Sequence, residues 1–282
     1  VALKPGFWKQ RRVLVTGATG FIGSWLVKEL LARGTTVVAL VLDDDPQSSF
    51  FRDADHRRTS VVSGRLEDPA ALERAVNVQE VDTVFHLAAQ TLVGAALRAP
   101  WETFESNIRG TYNLLEACRR SGRVRRVVIA SSDKAYGEQG RLPYREDAPL
   151  AGRQPYEVSK SCTDLLAQSY FHSYRLPVAV ARCGNVYGGG DLNWSRIVPG
   201  SIRSLLRGER PILRSDGSYK RDYVYVKDVV QAYLLLSEKL GVGGVAGECF
   251  NFGLNQPLTV LAMVAAISRL MDSRLKPDIR AD

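Results

Sequence analysis

Long apolar runs are missing from this chain, as are clustered cysteines, clustered histidines and blocks of like charge. Without an apolar stretch near the length a bilayer demands, a membrane-spanning helix is not expected. Cys118, Cys162, Cys183 and Cys249 stand far apart with no paired ligand spacing. A disulfide framework or zinc site is therefore not expected, and reduced core thiols in a cytoplasmic protein are. His56, His86 and His172 make no metal-binding pattern. The opening, Val1-Ala-Leu-Lys-Pro-Gly-Phe-Trp-Lys-Gln10, holds no apolar core of a secretory leader. The chain starts on Val, and its end, Lys276-Pro-Asp-Ile-Arg-Ala-Asp282, has no capping pattern, so a trimmed piece is expected.

The 282 residues are 45% hydrophobic, enough for one large domain or two unequal ones. The net charge is +8, carried mostly by Arg. Dense basic tracts with interleaved aromatics are absent, which argues against nucleic acid. Dispersed Arg suits a different task, the bidentate clamping of a diphosphate.

Strand and helix signals alternate along the first two thirds. Apolar runs at Arg11-Arg-Val-Leu-Val-Thr16, 35–42, Thr59-Ser-Val-Val62, Val81-Asp-Thr-Val-Phe-His-Leu87, 124–130 and Pro177-Val-Ala-Val-Ala-Arg182 read as strands. Helical patterns lie between them: Phe21–Ala32, a stretch from Pro69, another over 100–120, and 156–174 after Pro155. This alternation predicts an α/β fold of the Rossmann type, a doubly wound parallel sheet with a smaller C-terminal substrate lobe. Beyond Gly184 the rhythm breaks into Gly-, Asn- and Arg-rich loops with short helices. Residues 1–184 are expected to form the dinucleotide-binding domain. Residues 185–282 are expected to be mainly the substrate lobe, some segments returning to the first domain. Asp228 is expected to cap the start of a helix.

Gly17, Gly20 and Gly23 fall between a strand and a helix. Glycine there permits a tight turn, close approach to a pyrophosphate and close helix packing, with the helix N-terminus facing the phosphates. Asp43, ending the second strand, is the candidate for the adenosine ribose hydroxyls. No Arg adjoins it to take a 2′-phosphate, so NAD is expected over NADP.

Ser132-Asp133-Lys134 follows the apolar run 126–130 after one more serine, at a strand's carboxyl end, where ligands bind parallel sheets. Tyr156 and Lys160 are four apart on one helix face. A nearby ammonium stabilises tyrosinate and makes Tyr156 a usable base, with Ser132 placed to orient the same substrate hydroxyl.

Together these segments resemble the extended short-chain dehydrogenase/reductases of the nucleotide-sugar epimerase and dehydratase group. The likeness rests on Thr16-Gly-Ala-Thr-Gly-Phe-Ile-Gly-Ser24, His86-Leu-Ala-Ala89, Asn107-Ile-Arg-Gly-Thr111, Tyr156-Glu-Val-Ser-Lys160, Asn185-Val-Tyr-Gly188 and Arg221-Asp-Tyr-Val-Tyr-Val226. The resemblance implies NAD contacts from Gly17, Thr19, Gly20, Phe21, Ile22, Gly23, Asp43, Leu66, Leu87, Ala88, Ala89, Asn107, Tyr156 and Lys160. It implies substrate contacts from Gln90, Asn185, Arg196 and Arg221, and catalysis by Ser132, Asp133, Lys134, Tyr156 and Lys160, without metal. Within the group, an Asp-Lys pair after the serine resembles 4,6-dehydratases of the CDP-glucose type. A 4-epimerase on the same fold is the alternative, and a non-catalytic NAD-sensing protein a distant one. Arg65 departs from the pattern, standing where the group usually carries an Asp near the adenine. The resemblance further implies a homodimer formed through helices 100–120 and 156–174, with no membrane or nucleic-acid partner.

Overall fold

The computed structural model describes residues 3–280, which divide into two compact units. One comprises 1–183 and 227–252, the other 184–226 and 253–282. The second excursion into the first unit was not localised by the sequence reading. It brings back a helix and a strand.

The first unit is built on a seven-stranded sheet, parallel throughout. Its strands are β1 (Arg12–Thr16), β2 (Thr36–Val41), β3 (Ser60–Ser63), β4 (Thr83–His86), β5 (Arg126–Ser132), β6 (Val178–Cys183) and the edge strand Cys249–Phe252. In space the order is Cys249–Phe252, β6, β5, β4, β1, β2, β3. The winding direction reverses between β1 and β4, and the crevice outside such a reversal is where open α/β sheets bind ligands. The expected fold class is therefore the observed one.

Helices in chain order are α1 (Phe21–Ala32), α2 (Ser49–Arg52), α3 (Pro69–Glu73), α4 (Val93–Arg98), α5 (Pro100–Phe104), α6 (Gly110–Ser121), α7 (Pro155–Tyr174), α8 (Ile197–Leu206), α9 (Val226–Lys239) and α10 (Val260–Leu270). The period-two alternation of the strands sends side chains to two cores. On one face Leu14, Val84 and Val127 pack with Leu72 of α3, Leu114 of α6 and Ala167 of α7. On the other, Phe85 meets the rings of Trp8 and of Tyr233 on α9, at 6.0 and 6.4 Å. Trp8 is fully buried, and its indole N–H donates to the Glu238 carboxylate at 2.9 Å. The N-terminal segment is thus part of the core.

Two local details differ from expectation. The helical stretch from Pro100 is interrupted by a π-helical turn, Glu105–Arg109, before α6 begins. Nothing in Glu105-Ser-Asn-Ile-Arg109 breaks a helix, and within the turn Asn107 bonds Gln90 and Ser159. Helix α9 starts at Val226, so Asp228 lies inside its first turn rather than at the cap. Its charge there favours the positive end of the helix.

In the second unit, Asn185–Tyr187 pairs in parallel with Tyr223–Tyr225, Leu258–Thr259 pairs antiparallel with Lys220–Arg221, and α8 packs on α10. Among the described residues, no helix is long and apolar enough to cross a membrane.

Candidate active site

The glycine turn after β1 is shaped for a ligand with no side chains in its way. Gly17 adopts φ +72°, and a Cβ there would lie 2.7 Å from the Ala88 nitrogen. A Cβ on Gly23 would lie 2.0 Å from the Gly17 carbonyl oxygen, so α1 sits directly on the turn. Gly20 is the N-cap of α1 and offers no side-chain cap, and the first turn contains no acidic residue. The positive end of the helix is thereby left to an external anion. This cradle fits a dinucleotide pyrophosphate, which Gly17, Thr19, Gly20, Phe21, Ile22 and Gly23 would hold.

The opposite wall is Leu87-Ala88-Ala89-Gln90, half-buried beyond β4. A closed polar chain fixes it. The Ala88 N–H donates to Thr16 Oγ1 at 3.2 Å, and Thr16 Oγ1 lies 2.8 Å from His86 Nδ1. His86 Nε2 lies 3.0 Å from Thr111 Oγ1, whose proton goes to the Asn107 carbonyl at 2.6 Å. Thr111 must therefore accept, so Nε2 carries the imidazole proton and Nδ1 accepts from Thr16. Burial, with the Lys160 charge adding, pushes His86 down to about 3 and keeps it neutral.

Asn107 is a brace. Its amide donates to the Gln90 carbonyl at 3.0 Å and to Ser159 Oγ at 2.9 Å, and its oxygen accepts from Gln90 N at 2.7 Å. Both amide protons are thus engaged within the protein, and the side chain ties the wall to α7. The Gln90 side chain, expected on the substrate, closes on the Leu92 backbone through both its amide groups.

Helix α7 carries the Tyr/Lys pair. Pro155 opens it, and Glu157 accepts from the backbone N–H groups of Arg153 and Gln154 at 3.0 and 3.2 Å. Tyr156 is largely buried. Lys160, one turn on, is 5% exposed and donates to the Ala130 carbonyl of β5 at 2.9 Å. Burial lowers its ammonium to about 8, against the opposing pull of Asp164 and Cys183. It remains a cation near neutral pH, as the tyrosinate argument requires.

Strand β5 runs through Ser132, and Asp133–Tyr136 forms a tight 3₁₀ turn. Ser132 Oγ donates to Asp133 Oδ1 at 3.0 Å and accepts from the Lys134 N–H at 3.2 Å, capping that turn. The five residues expected to carry chemistry thus converge at β5 and the start of α7.

Toward the adenine end, Asp43 is exposed two residues past β2. Ser48 caps α2 and donates to the Thr19 carbonyl at 2.6 Å, tying the segment after β2 to the glycine turn. Leu66 is buried with its carbonyl accepting from Asn113 at 3.2 Å, while Arg65 is exposed beside Glu67.

In the second unit, Asn185 donates its backbone N–H to the Asp222 carbonyl at 3.0 Å. The buried Asp191 holds the Arg196 guanidinium at 3.1 Å, leaving it 39% exposed. The Arg221 guanidinium stands over the Tyr219 ring at 5.5 Å. The Asp191 pairing with Arg196 is made in a loop, where sequence spacing carries no periodic signal.

A reversal-point cradle beside a buried Tyr/Lys helix defines a dinucleotide-dependent enzyme of the short-chain dehydrogenase/reductase kind. The sequence profile of the NAD dependent epimerase/dehydratase family matches residues 13–253, and the chain belongs to that family. It is 34% identical, over 89% of its length and 73% of the relative's, to the CDP-glucose 4,6-dehydratase of Salmonella typhimurium. Among solved structures it is similar to the dTDP-glucose 4,6-dehydratase of Streptomyces venezuelae crystallised with NAD. That match has a TM-score of 0.83 and 30% identity, covering 95% of this chain and 84% of the other. The UDP-glucose 4-epimerase of Thermotoga maritima, solved with UDP-glucose, matches with TM-score 0.85 and 30% identity over 95% and 85% of the two chains.

Proposed function

We propose that this chain is an NAD-dependent nucleotide-sugar 4,6-dehydratase, converting an NDP-hexose to the NDP-4-keto-6-deoxyhexose and water. The observation that carries the reading is Asp133-Lys134 directly after Ser132, within the turn beside Tyr156 and Lys160. The likeness to the Salmonella enzyme favours a cytidine diphosphate substrate.

Bound NAD would supply the hydride acceptor for sugar C4 and, reduced, the hydride donor for C6. Tyr156 takes the proton of the 4-hydroxyl, its phenolate favoured by the Lys160 cation. Ser132 orients that hydroxyl. The new C4 ketone acidifies the C5 proton, which Lys134 removes as the base. Asp133, as the acid, protonates the departing C6 hydroxyl, which leaves as water. Lys134 then restores a proton to C5. Arg196 and Arg221 suit the substrate diphosphate, since a guanidinium fork bonds two phosphate oxygens at once; Asn185 is proposed beside them. Residues 1–183 with 227–252 are proposed as the NAD-binding unit and the remainder as the substrate unit.

The test is incubation with CDP-, dTDP-, UDP- and GDP-hexoses, scored for a 4-keto product. A C4 epimer with C6 unaltered would overturn the reading in favour of a 4-epimerase, the activity named for the Thermotoga neighbour. Changing Asp133 and Lys134 together to Ala separates the two, crippling a dehydratase and sparing an epimerase. We also propose a cytoplasmic homodimer. Four free cysteines accord with a reducing compartment, and Leu165 and Tyr174 of α7 are both more than half exposed. Light scattering on the purified protein measures the oligomeric state.

A further inference from the structure

A buried polar network lies behind the active-site turn, using none of the residues given a chemical role above. At its centre, Asp164 and Arg182 form an ion pair at 2.9 Å, with side chains 0% and 3% exposed. A pair this deep is costly to desolvate and adds little net stability over an apolar replacement. Its bonds show what it holds. Ser131 Oγ donates to Asp164 Oδ2. Arg182 Nη1 donates to the Tyr136 hydroxyl at 2.7 Å and to the Glu146 carbonyl at 3.0 Å. The Tyr136 hydroxyl in turn donates to Asn251 Oδ1 at 2.7 Å, and its ring lies under the guanidinium at 4.7 Å. A third tether comes from α7, where Ser161 Oγ donates to the Ala135 carbonyl at 2.9 Å.

The tethered positions are 131, 135 and 136. They bracket Ser132-Asp133-Lys134 on both sides. Asp164 also sits one helical turn beyond Lys160, so the helix bearing Tyr156 and Lys160 and the turn bearing the acid/base pair are anchored to one carboxylate.

We propose that Asp164 and Arg182 are positioning residues that fix the 132–134 segment against α7 through Ser131 and Tyr136. The inference rests on the dehydratase reading for its kinetic consequence, and on geometry alone for its structural one. Small displacements of reacting groups from a near-attack geometry lower rate without weakening binding. The network should therefore act on kcat and leave KM alone.

The test uses the full chain with Ser131→Ala and Tyr136→Phe combined, which cuts the two hydrogen-bond tethers to the ion pair, keeps the one from Ser161 and leaves the pair intact. Trp8→Phe is the control, removing a buried tether to Glu238 away from the site. The expected result is a kcat about 10- to 100-fold lower, with KM for the nucleotide sugar and bound NAD unchanged. Hydrogen exchange at amides 132–136 should rise in the double variant and not in Trp8→Phe. Unchanged kcat in the double variant, or an equal kcat loss in Trp8→Phe, overturns the inference while the function stands. If the wild-type chain forms no 4-keto sugar, the function fails, and the exchange experiment still decides: unaltered exchange at 132–136 overturns the inference. Asp164→Asn leaves Arg182 buried without its counter-charge, so it should lower Tm steeply; a variant with wild-type Tm and kcat also overturns it.

Discussion

Lys160 Nζ donates to the Ala130 carbonyl at 2.9 Å, so the cation of α7 is bonded to the backbone of β5 two residues ahead of Ser132. That bond sets the place of the charge, while burial sets its titration.

Lys160 is held near 8, below the ordinary value of about 10.4 for a free lysine. Turnover is expected to decline above about pH 8 as the charge beside Tyr156 is lost. Stability should move the other way. Between about 8 and 10.4 the unfolded chain binds the proton that the folded chain has released. The destabilisation is complete below the folded value and fades as pH rises through this window. Lys160→Met removes a buried cation and should keep Tm near that of the wild type while abolishing turnover. Rate–pH profiles and calorimetry of the two proteins check this; a variant that still turns over would remove Lys160 from the mechanism.

His86 titrates in the opposite part of the scale. Folded, it sits near 3, against an unfolded value near 6.5. From pH 6.5 down to 3 the unfolded chain takes up a proton that the native fold refuses, so stability falls with acid. The loss from this one group is about 1.4 kcal/mol per pH unit inside that window. Urea unfolding at a series of pH values should show the slope, and His86→Gln should flatten it.

Gly23 admits no side chain. A Cβ there would meet the Gly17 carbonyl at 2.0 Å, and the only relief is to lift α1 off the turn that it supports. Gly23→Ala should cost roughly 1–3 kcal/mol of stability by overpacking, and the purified protein should lose its bound NAD. Cofactor content by absorbance and Tm measure the two effects together. Retention of NAD at full occupancy would show that the turn tolerates displacement.

Most of the parallel sheet was legible because its strands are short apolar runs closed by Gly, Pro or polar residues. The edge strand Cys249–Phe252 was not. It has four residues, all half-buried, and follows a long irregular excursion; its pairing with β6 is set by residues about seventy positions earlier. The glycine turn and the Tyr156/Lys160 spacing declared themselves, since their chemistry is local. The bonds that Asn107 and Gln90 make within the protein did not. Whether an amide binds a ligand or braces a wall depends on partners that only the fold brings near. The Asp164–Arg182 pair is likewise invisible in the sequence, an acid inside an amphipathic helix and an arginine ending an apolar strand.

None of the three tethers at 131, 135 and 136 uses the side chain of Asp133 or Lys134. The turn is held mainly by its neighbours, and the Asp133 side chain accepts a local bond from Ser132 Oγ. Asp133 and Lys134 form an exchangeable cassette on a fixed mount. Under the dehydratase reading, a new pair of side chains there would give the C4 ketone a new fate while the three tethers stay in place.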